Sequence, residues 1–411
     1  MKVIYSFSIF IFEGLIRLAG IFSPKAKEMI DGRKSQVDLI NKIPKNTQKR
    51  IWIHAASLGE YEMAIPLIEE ISKNEPSTEF IISFFSPSGY KNAKLPSNCT
   101  KLYLPFDSDK NAKNWIKNIN PDIAIFIKYE FWPNMINACH QKKIPLWYWN
   151  FLLRDNHFIL KPWASFWQNA IKKCAGFLAQ DKNTVELGNS IQLPNIELLG
   201  DIRYLRTQKL QLQLNDVPQK IKDFTHRKST LILGSSWEAE ENGLLKYLQN
   251  QTLKANQCVL IAPHDISQNH IDEIEQKFKS FGAERLSNFE NNSNTKILII
   301  DNIGLLSRLY ELSDIAVIGG AFGKGLHNII EASAAGVPVI FGPNTDKFPE
   351  AKEFVDAKIG FQVKTIDGLA QTIDTTFNSL ELKVLKQKTK AHFDTCIPQI
   401  EFAVLKILNR K

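Results

Sequence analysis

Residues 314–343, DIAVIGGAFGKGLHNIIEASAAGVPVIFGP, contain the pattern that decides the fold. An apolar run, DIAVI, enters a glycine-rich turn, and the turn opens a segment of helical spacing that is predicted to begin near His327 or Asn328. A second apolar run, VPVIF, follows this segment. Two buried strands joined by a helix are the unit from which parallel sheets covered on both faces are built, so we expect an α/β fold.

The same alternation extends over both halves of the chain. The other strands predicted in the second half are TLILGSS, CVLIAPHD and KILIID, and those in the first half are IWIHAA, FIISFFS, KLYLPF, DIAIFIKYE, IPLWYWN and GFLAQD. Segments of helical spacing and length lie between them. The sequence therefore predicts two doubly wound, Rossmann-like domains that face a cleft.

These patterns divide the chain into five parts. An apolar and basic segment at 1–35 precedes a first Rossmann-like domain at 36–204, and a second such domain occupies 229–395. Residues 205–228 are polar and lack a strand pattern, which is typical of a connection between domains. The end of the chain, 396–411, is predicted to form an amphipathic helix that could pack on either half.

Composition and charge narrow the class of protein. Of the 411 residues, 44% are hydrophobic and 23% are charged, as in folded proteins with an ordinary surface. The five cysteines show neither a CxxC pair nor a recurrent spacing, so no zinc site or disulfide framework is indicated and a reducing compartment is expected. The net charge is +8, and residues 1–50 carry ten Lys or Arg against four Asp or Glu. A basic end suggests an anionic surface or substrate.

The first 22 residues, MKVIYSFSIFIFEGLIRLAGIF, are strongly apolar but include Glu13 and Arg17. We predict no removed signal peptide, because no cleavage site of small residues follows. The two charges argue against a clean spanning helix, although four residues apart they can pair on a helix. We expect a helix in the membrane interface, with the basic residues of SPKAKEMIDGRK at anionic headgroups. The alternative is a helix packed on the domain.

The glycine-rich turn is suited to an anion, because backbone N–H groups at a helix start attract phosphate. Its sequence, GGAFGKG, has neither the Walker spacing nor GxGxxG. Asn328 and Glu331 are predicted in the first helical turn, where Glu331 can accept hydrogen bonds from ribose hydroxyls; the alternative is a capped helix with a solvated glutamate. His327 and Glu331 also have the spacing of a ligand pair, but without a third ligand nearby we predict no metal site.

Three other loops follow strands of the second half. LGSSWEAEE places Ser235 three residues before Glu238, the spacing of a capping box. APHD places Pro263 and His264 after a strand, where a histidine is either an ordinary loop residue or a phosphate contact. The backbone that could contact the edge of a base, after KILII, belongs to Ile303, Gly304 and Leu305.

The first half offers two carboxylates and an arginine near predicted strand ends. Glu60, in IWIHAASLGEYE, either complements the positive end of a helix dipole or faces the crevice where open α/β sheets bind ligands. Glu130 ends a buried strand in KYEFWPN, a costly place for a carboxylate unless it is paired or solvated. Arg203, in GDIRYLR, could bind a phosphate through its forked guanidinium.

A set of motifs in order along nearly the whole chain resembles the 3-deoxy-D-manno-octulosonic acid (Kdo) transferases of lipid A assembly. The motifs are WIHAASLGE, YLPFD, YEFWPN, LAQD, LLGDIRY, LGSSWEAEE, IAPHD, DNIGLLSRLYELSDIAVIGG, HNIIEASAAGVPVIFGPN and FPEA. The resemblance implies a GT-B glycosyltransferase at the cytoplasmic face of the inner membrane. Its donor would be CMP-Kdo, and its acceptor a phosphorylated, acylated disaccharide, the lipid A precursor of the lipid IVA type.

The resemblance also implies roles for individual residues. Glu60 matches the family's general base, Glu130 matches a glutamate that supports the transition state, and Arg203 stands where the family usually has lysine. The segments that match nucleotide contacts of the family contain Pro263, His264, Ile303, Gly304, Leu305, Asn328, Ile329, Ile330 and Glu331. Two further departures from the family pattern are Lys128, in place of the first glutamate of ETE, and His264, in place of the arginine of PRHP.

The function expected from these observations is transfer of Kdo from CMP-Kdo with inversion, without a cofactor or metal. The expected partners are the donor, the lipid acceptor and an anionic membrane surface, and nucleic acid is not among them. Two other enzymes would share the architecture: a glycosyltransferase that uses a UDP-sugar on a lipid, and a nucleotide-sugar epimerase. A non-enzymatic, membrane-bound nucleotide-sugar binder would leave both carboxylates unexplained.

Overall fold

The chain, described by a computed structural model, forms two compact units. The first unit is Met1–Arg206 together with Pro398–Lys411, and the second is Thr207–Ile397. The structure describes residues 1–44, 48–211, 217–290, 294–323 and 325–409.

The first unit contains a parallel sheet of seven strands in the order β3-β2-β1-β4-β5-β6-β7. The strands are β1 Arg50–Ala55, β2 Glu79–Phe84, β3 Cys99–Tyr103, β4 Ile123–Ile127, β5 Leu146–Phe151, β6 Gly176–Ala179 and β7 Ile196–Leu198. Every residue of β1, β4 and β5 is buried, as expected for parallel strands that are covered on both faces. The chain runs outward from β1 to β3 and then returns with β4 to the other side of β1, so the strand order reverses between β1 and β4.

Helices cover this sheet, and several of them begin at a residue whose side chain caps the N-terminus. Their bounds are α1 Lys2–Ala19, α2 Pro24–Ser35, α3 Val37–Asn41, α4 Leu58–Asn74, α5 Pro87–Asn92, α6 Asp109–Ile119, α7 Pro133–Gln141, α8 Ser165–Ile171, α9 Lys182–Ser190 and α10 Ile202–Gln211. In α2, α4 and α6 a serine at the N-cap accepts a hydrogen bond from the first helical turn. These caps place the start of each helix at the end of the preceding loop or strand.

The second unit repeats this architecture with a parallel sheet in the order β10-β11-β9-β8-β12-β13-β14. The strands are β8 Ser229–Ser236, β9 Gln257–Pro263, β10 Ala283–Arg285, β11 Ile297–Ile299, β12 Ile315–Ile318, β13 Val339–Phe341 and β14 Gly360–Gln362. The helices are α11 Gln219–Thr225, α12 Glu238–Asn250, α13 Gln268–Phe278, α14 Leu306–Leu309, α15 Ile330–Ala334, α16 Pro349–Asp356, α17 Ile366–Phe377 and α18 Leu382–Cys396. Here the strand order reverses between β8 and β12.

The predicted α/β fold is confirmed, with three strands added that the sequence did not reveal. β7, β10 and β14 have three residues each and lie at sheet edges, where short strands with a polar face give no continuous apolar run. The predicted C-terminal helix forms as α19, Glu401–Ile407, and packs on α4 of the first unit.

The polar segment 205–228 is not a bare connection. α10 and α11 lie on either side of residues 212–216, which are outside the described part of the chain. In α11 the side chains of Ile221 and Phe224 are buried in the second unit, and the Phe224 ring packs edge-on against Phe289. Two apolar residues three apart, surrounded by lysines, were too weak a signal to predict this helix.

The N-terminal helix α1 packs on the first unit by one face and exposes the other. Tyr5 and Ile9 are buried against Ile30 and Phe106. The exposed apolar side chains of this segment are Val3, Ile4, Phe7, Phe10, Ile11, Phe12, Leu15, Leu18, Ile21 and Phe22. In the described residues no single helix is long and apolar enough to cross a membrane. Val3–Ala19 and Pro24–Asn41 together have the length and composition of a membrane span, but they are bent by 118° at the break between them.

Candidate active site

The predicted site residues of each unit follow the strands at which the sheet order reverses. In open parallel sheets, ligands bind beyond the carboxyl ends of these strands. In the first unit the loop after β1 leads to Glu60, in the first turn of α4, and the loop after β4 carries Glu130. In the second unit they are the loop after β8, which leads to Trp237, and the glycine-rich loop after β12, of which Lys324 lies outside the described residues.

Glu60 occupies the first turn of α4 and is 9% exposed. Its backbone N–H donates to Oγ of Ser57 at 3.4 Å, and its carboxylate accepts a hydrogen bond from the backbone N–H of Ala56. Glu60 therefore does complement the helix start, which is the structural role that the sequence suggested.

The electrostatic surroundings of Glu60 indicate more than a helix cap. Burial and, after it, the nearby charge of Glu130 raise the pKa of Glu60 to about 7, against the opposite influence of the Ala56 N–H and the Lys128 ammonium. A solvated glutamate cap would have no such shift, because its charge is stabilised by water. A carboxylate with a pKa near neutrality is suited to accept a proton in a reaction.

Glu130 follows β4 and lies close to Glu60 in the first unit. Its Oε2 atom accepts a hydrogen bond of 2.9 Å from the indole N–H of Trp132 and lies 3.5 Å from Nε2 of His54. The hydroxyl of Tyr148 donates to the backbone carbonyl of Glu130 at 2.9 Å, which holds the loop. The carboxylate at the strand end is thus paired, one of the two conditions that its position required.

Lys128 departs from the family pattern and has an unusual backbone. Its φ is +60°, in the left-handed region that non-glycine residues seldom adopt, and its N–H donates to the carbonyl of Trp149 at 3.0 Å. Tyr129, next in the chain, has a pKa raised by burial and by the charges of Glu60 and Glu130. The loop after β4 therefore places a cation and a phenol near the two glutamates.

Arg203 lies at the same edge of the first sheet but farther along it, after β7 and at the start of α10. Its guanidinium binds the carboxylate of Asp201, with Nη2 at 2.6 Å and Nε at 2.9 Å from Oδ2. Gln180 donates to the same carboxylate oxygen at 2.9 Å. The guanidinium is therefore held in a defined orientation by the Asp201 carboxylate.

In the second unit a cavity of about 310 Å³ lies where the strand order reverses, lined by Trp237, Glu238, Ala239, Glu240, Gly320, Phe322 and Gly323. Glu240 joins its two walls, because its carboxylate accepts from the N–H of Trp237 at 3.0 Å and from the N–H of Gly320 at 3.1 Å. The capping box predicted for Ser235 and Glu238 is wrong: α12 begins after Trp237, and Glu240 is the glutamate that reaches back.

Three rings stack beside this cavity. The Trp237 and His264 rings are 4.6 Å apart, the His264 and His327 rings are also 4.6 Å apart, and the Trp237 indole N–H donates to Nε2 of His327 at 3.2 Å. Burial and the proximity of His264 lower the pKa of His327. Acceptance of the indole proton requires a neutral Nε2 on His327, which agrees with this direction.

The segments predicted to contact a nucleotide converge beside the stack. β9 ends at Pro263, and His264 follows it. The ring of His264 packs on the ring of His327, which precedes Asn328. Glu331 accepts from the amide of Asn328 at 2.9 Å and from the hydroxyl of Ser307 at 2.6 Å, and Ser307 follows Ile303, Gly304 and Leu305. The side chains of Ile303 and Asn328 are exposed, whereas those of Leu305, Ile329 and Ile330 are buried.

The helix after the glycine-rich turn is shorter than predicted. α15 begins at Ile330 and has five residues, so His327 and Asn328 precede it and the pair of His327 and Glu331 does not share a helical face. Asn328 caps the helix, since its side-chain oxygen accepts from the N–H of Ile330 at 3.0 Å. In the described part of the chain, no group of three His, Cys, Asp or Glu side chains is placed to hold a metal ion.

Sequence reasoning missed several residues of these sites. Four residues were not singled out from the sequence: His54, Trp237, Glu240 and Ser307. The signals that could have found them were available: a tryptophan directly after a strand, and a polar residue inside the apolar run IWIHAA.

Several sequence relatives of the chain are 3-deoxy-D-manno-octulosonic acid transferases. A family model described as 3-Deoxy-D-manno-octulosonic-acid transferase (kdotransferase) matches residues 32–206. The 3-deoxy-D-manno-octulosonic acid transferase of Rickettsia bellii is 28% identical over 346 residues, 81% of each chain. That of Haemophilus influenzae is 29% identical over 343 residues, 80% of each chain.

Solved structures of low sequence identity share the fold. The UDP-GlcNAc 2-epimerase of Neisseria meningitidis superimposes with a TM-score of 0.62 at 13% identity, over 88% of this chain and 99% of that one. MurG of Acinetobacter baumannii does so with a TM-score of 0.59 at 14% identity, over the same shares. The two Rossmann-like units are those of the GT-B fold, and the sequence relatives indicate that the chain is a glycosyltransferase similar to the 3-deoxy-D-manno-octulosonic acid (Kdo) transferases.

Proposed function

We propose that the protein transfers Kdo from CMP-Kdo to a lipid A precursor of the lipid IVA type with inversion, and that Glu60 is the general base. The observation that carries this proposal is the pKa of Glu60, raised to about 7 by burial and by Glu130. At this pKa a large fraction of Glu60 is ionised at neutral pH and still basic enough to accept a proton in the transition state.

In the proposed reaction a hydroxyl of the acceptor attacks the anomeric carbon of Kdo. Glu60 accepts the proton of this hydroxyl as the new C–O bond forms, and the bond to the phosphate oxygen of CMP breaks. CMP departs with both electrons of that bond. The negative charge of Glu130 keeps Glu60 basic and favours the positive charge that develops on the sugar ring.

The donor nucleotide is assigned to the second unit. The ring stack of Trp237, His264 and His327 offers a flat apolar face, which suits a base or a sugar ring. Glu331, already held by Ser307, can accept hydrogen bonds from ribose hydroxyls. Arg203 of the first unit is proposed to meet the phosphate charge of the departing CMP, as the family resemblance suggests.

The acceptor is assigned to the first unit, together with the inner membrane at its cytoplasmic face. Support comes from α1, whose exposed side chains include Phe7, Phe10 and Leu15, and from the basic residues of α2. An apolar helix face beside lysines and arginines binds the boundary of an anionic bilayer by burial of apolar area and by charge attraction. The lipid acceptor would be drawn from the same surface.

The experiment that tests this function is mass spectrometry of a tetra-acylated, bis-phosphorylated disaccharide after incubation with CMP-Kdo and the protein. We expect the mass of the lipid to increase by one or more Kdo residues, with one CMP released for each. UDP-sugars serve as the comparison donors. Release of CMP without an acceptor, or transfer from a UDP-sugar but not from CMP-Kdo, would contradict the proposal.

A further inference from the structure

His54 is a buried histidine that the proposed reaction does not use. It lies in β1, the strand that leads to Glu60, and its side chain is 0% exposed. Its ring packs edge-on against Phe126, at 5.4 Å between centroids, and against Trp132, at 6.4 Å. A polar ring in such apolar surroundings requires partners for both nitrogens.

The contacts of Nδ1 leave two positions for the ring proton of His54. Nδ1 lies 3.0 Å from the backbone carbonyl oxygen of Ser83 and 2.9 Å from its hydroxyl oxygen. Either Nδ1 carries a proton and donates to the carbonyl, or the Ser83 hydroxyl, which accepts from the indole N–H of Trp52 at 2.8 Å, donates its own proton to Nδ1. In the second arrangement the ring proton is on Nε2.

The other nitrogen, Nε2, faces Glu130. Within the described part of the chain Nε2 has no hydrogen-bond partner, and the carboxylate oxygen Oε2 of Glu130 lies 3.5 Å away. If Nε2 were unprotonated and Glu130 ionised, the lone pair of a fully buried nitrogen would face a carboxylate lone pair, an unfavourable arrangement. A proton between the two atoms removes this repulsion and completes the requirements of both groups.

We propose that His54 is a positioning residue that keeps a proton between its Nε2 atom and the Glu130 carboxylate. The proton orients Glu130 and reduces the negative charge that Glu130 presents to Glu60. This inference rests on the proposed role of Glu60 as base. Ser83 holds the ring of His54, and His54 orients Glu130. The charge of Glu130 then sets the pH at which Glu60 is active as a base.

The other charged and titratable groups near the two glutamates are few. Lys128 and Tyr129, in the loop that carries Glu130, both interact with Glu60, and the backbone N–H groups of Ala56 and Ser57 face it from its own side. The phenol of Tyr148, whose hydroxyl donates to the backbone carbonyl of Glu130 at 2.9 Å, lies on the β5 side of Glu130. Loss of the His54 ring therefore exposes Glu60 to a larger negative charge, and the pH required to ionise Glu60 rises.

Two variants separate positioning from packing. His54→Gln places an amide N–H near Nε2 and can still donate to Glu130, but it cannot share a mobile proton. His54→Asn can still donate to the Ser83 carbonyl but does not reach Glu130. His140→Gln, an exposed histidine at the end of α7 in the same unit, is the matched control.

The test is the pH dependence of kcat for Kdo transfer, with thermal unfolding to confirm that each variant folds. We expect the acid limb of the profile to move to higher pH by about one unit in His54→Asn and by less in His54→Gln, because an opposite charge within about 6 Å shifts a pKa by one to three units. His140→Gln should have the wild-type profile. Variants that lose activity equally at every pH would overturn the proposal, since that result indicates packing alone.

A second readout does not require the transfer reaction. The side-chain carboxyl carbon of Glu60, labelled with ¹³C and assigned with Glu60→Gln, can be titrated by NMR in wild type and in His54→Asn. A titration at higher pH in the variant supports the proposal even if the protein transfers no Kdo, in which case only the proposed function fails. An unchanged titration overturns the role of His54 whatever the activity.

Discussion

The two units have the same architecture, yet the loops at their strand-order reversals differ in chemistry. In the first unit these loops bring together two carboxylates, Glu60 and Glu130, with a buried histidine behind them. In the second unit they form a cavity walled by a glycine-rich loop and by Trp237, with a stack of rings beside it. The same position in a Rossmann-like sheet is thus proposed to support proton transfer in one unit and ligand binding in the other.

The difference follows from how each carboxylate is solvated. Glu240 of the second unit is buried too, but both of its oxygens accept from backbone N–H groups, of Trp237 and Gly320, so its charge serves to hold the cavity walls. Glu60 accepts from the Ala56 N–H and faces the charge of Glu130. Burial raises the pKa of both glutamates, but the next largest influence on Glu240 is its backbone donors, which lower the pKa, whereas on Glu60 it is the charge of Glu130, which raises it further.

The largest expected effect tests the first unit's side of this comparison. Glu60→Gln should lower kcat for Kdo transfer by about 10²- to 10⁴-fold, because an amide cannot accept the proton, while its oxygen can still accept from the Ala56 N–H. Binding of CMP-Kdo, measured by calorimetry, should change by less than about twofold.

Glu62→Gln is the control for this variant. Glu62 lies on the same helix, is half exposed and pairs with Arg206 at 2.8 Å, so its replacement should leave transfer close to wild type. Full activity of Glu60→Gln would remove Glu60 as the base and with it the distinction between the two units.

The next largest effect is on stability, which the same substitution, Glu60→Gln, should increase rather than lower. Because burial raises the folded-state pKa of Glu60 from 4.5 to about 7, the folded protein holds a proton that the unfolded chain releases, and stability falls as pH rises between these values. Glu60→Gln removes this loss, so at pH 8 we expect it to unfold with a free energy higher than wild type by up to about 3 kcal/mol, and at pH 4 with little difference.

Urea unfolding of the first unit at the two pH values measures this effect. Glu62→Gln again serves as control, because Glu62 is half exposed on the same helix and its replacement should change the urea midpoint little. Equal urea midpoints for Glu60→Gln and wild type at pH 8 would mean that the Glu60 charge is not buried at a cost.

The fold could be predicted from the sequence because both sheets are built of buried parallel strands, which appear as continuous apolar runs such as IWIHA and IAIFI. The edge strands β7, β10 and β14 could not be predicted, since their sequences, IEL, AER and GFQ, contain no continuous apolar run. The start of the five-residue helix α15 was predicted too early. The hydrogen bond from the Ile330 N–H to the Asn328 side chain, which marks the start of the helix, depends on a side-chain conformation that the sequence does not reveal.

The site could be predicted in part. Glu60 and Glu130 stood out as carboxylates at strand ends, but their proximity depends on β4 pairing with β1, and strand order is not written in local periodicity. The ring stack joins residues 237, 264 and 327, which are far apart in the chain and meet only because three loops leave the same edge of one sheet. Family resemblance identified His264 but not the ring on either side of it.

A smaller effect tests the second unit's side of the comparison. Trp237→Ala removes one ring of the stack and one wall of the cavity, so we expect KM for CMP-Kdo to rise by about tenfold with a smaller change in kcat, the pattern of lost ground-state binding. Trp237→Phe keeps a ring but loses the donor to His327, and should lie between Trp237→Ala and wild type. An unchanged KM in Trp237→Ala would place the donor elsewhere.

The smallest effect concerns the lipid side of the reaction, which the comparison assigns to the first unit. Phe10 of α1 is 73% exposed, and Phe402 of α19, in the same unit, is 77% exposed. If the α1 face enters an anionic bilayer, Phe10→Asp removes apolar area and adds a repelled charge, so binding to vesicles that contain anionic lipid should fall by roughly three- to tenfold, because one residue of a large face is lost.

Phe402→Asp is the matched control, with the same substitution at a similarly exposed ring. Co-sedimentation with the vesicles should show that it binds like wild type, because the proposed membrane contact is confined to the N-terminal helices. If both variants lost binding equally, the contact would extend over the whole unit. If neither did, the apolar face of α1 would need another occupant, and the acceptor would not be drawn from a surface beside Glu60.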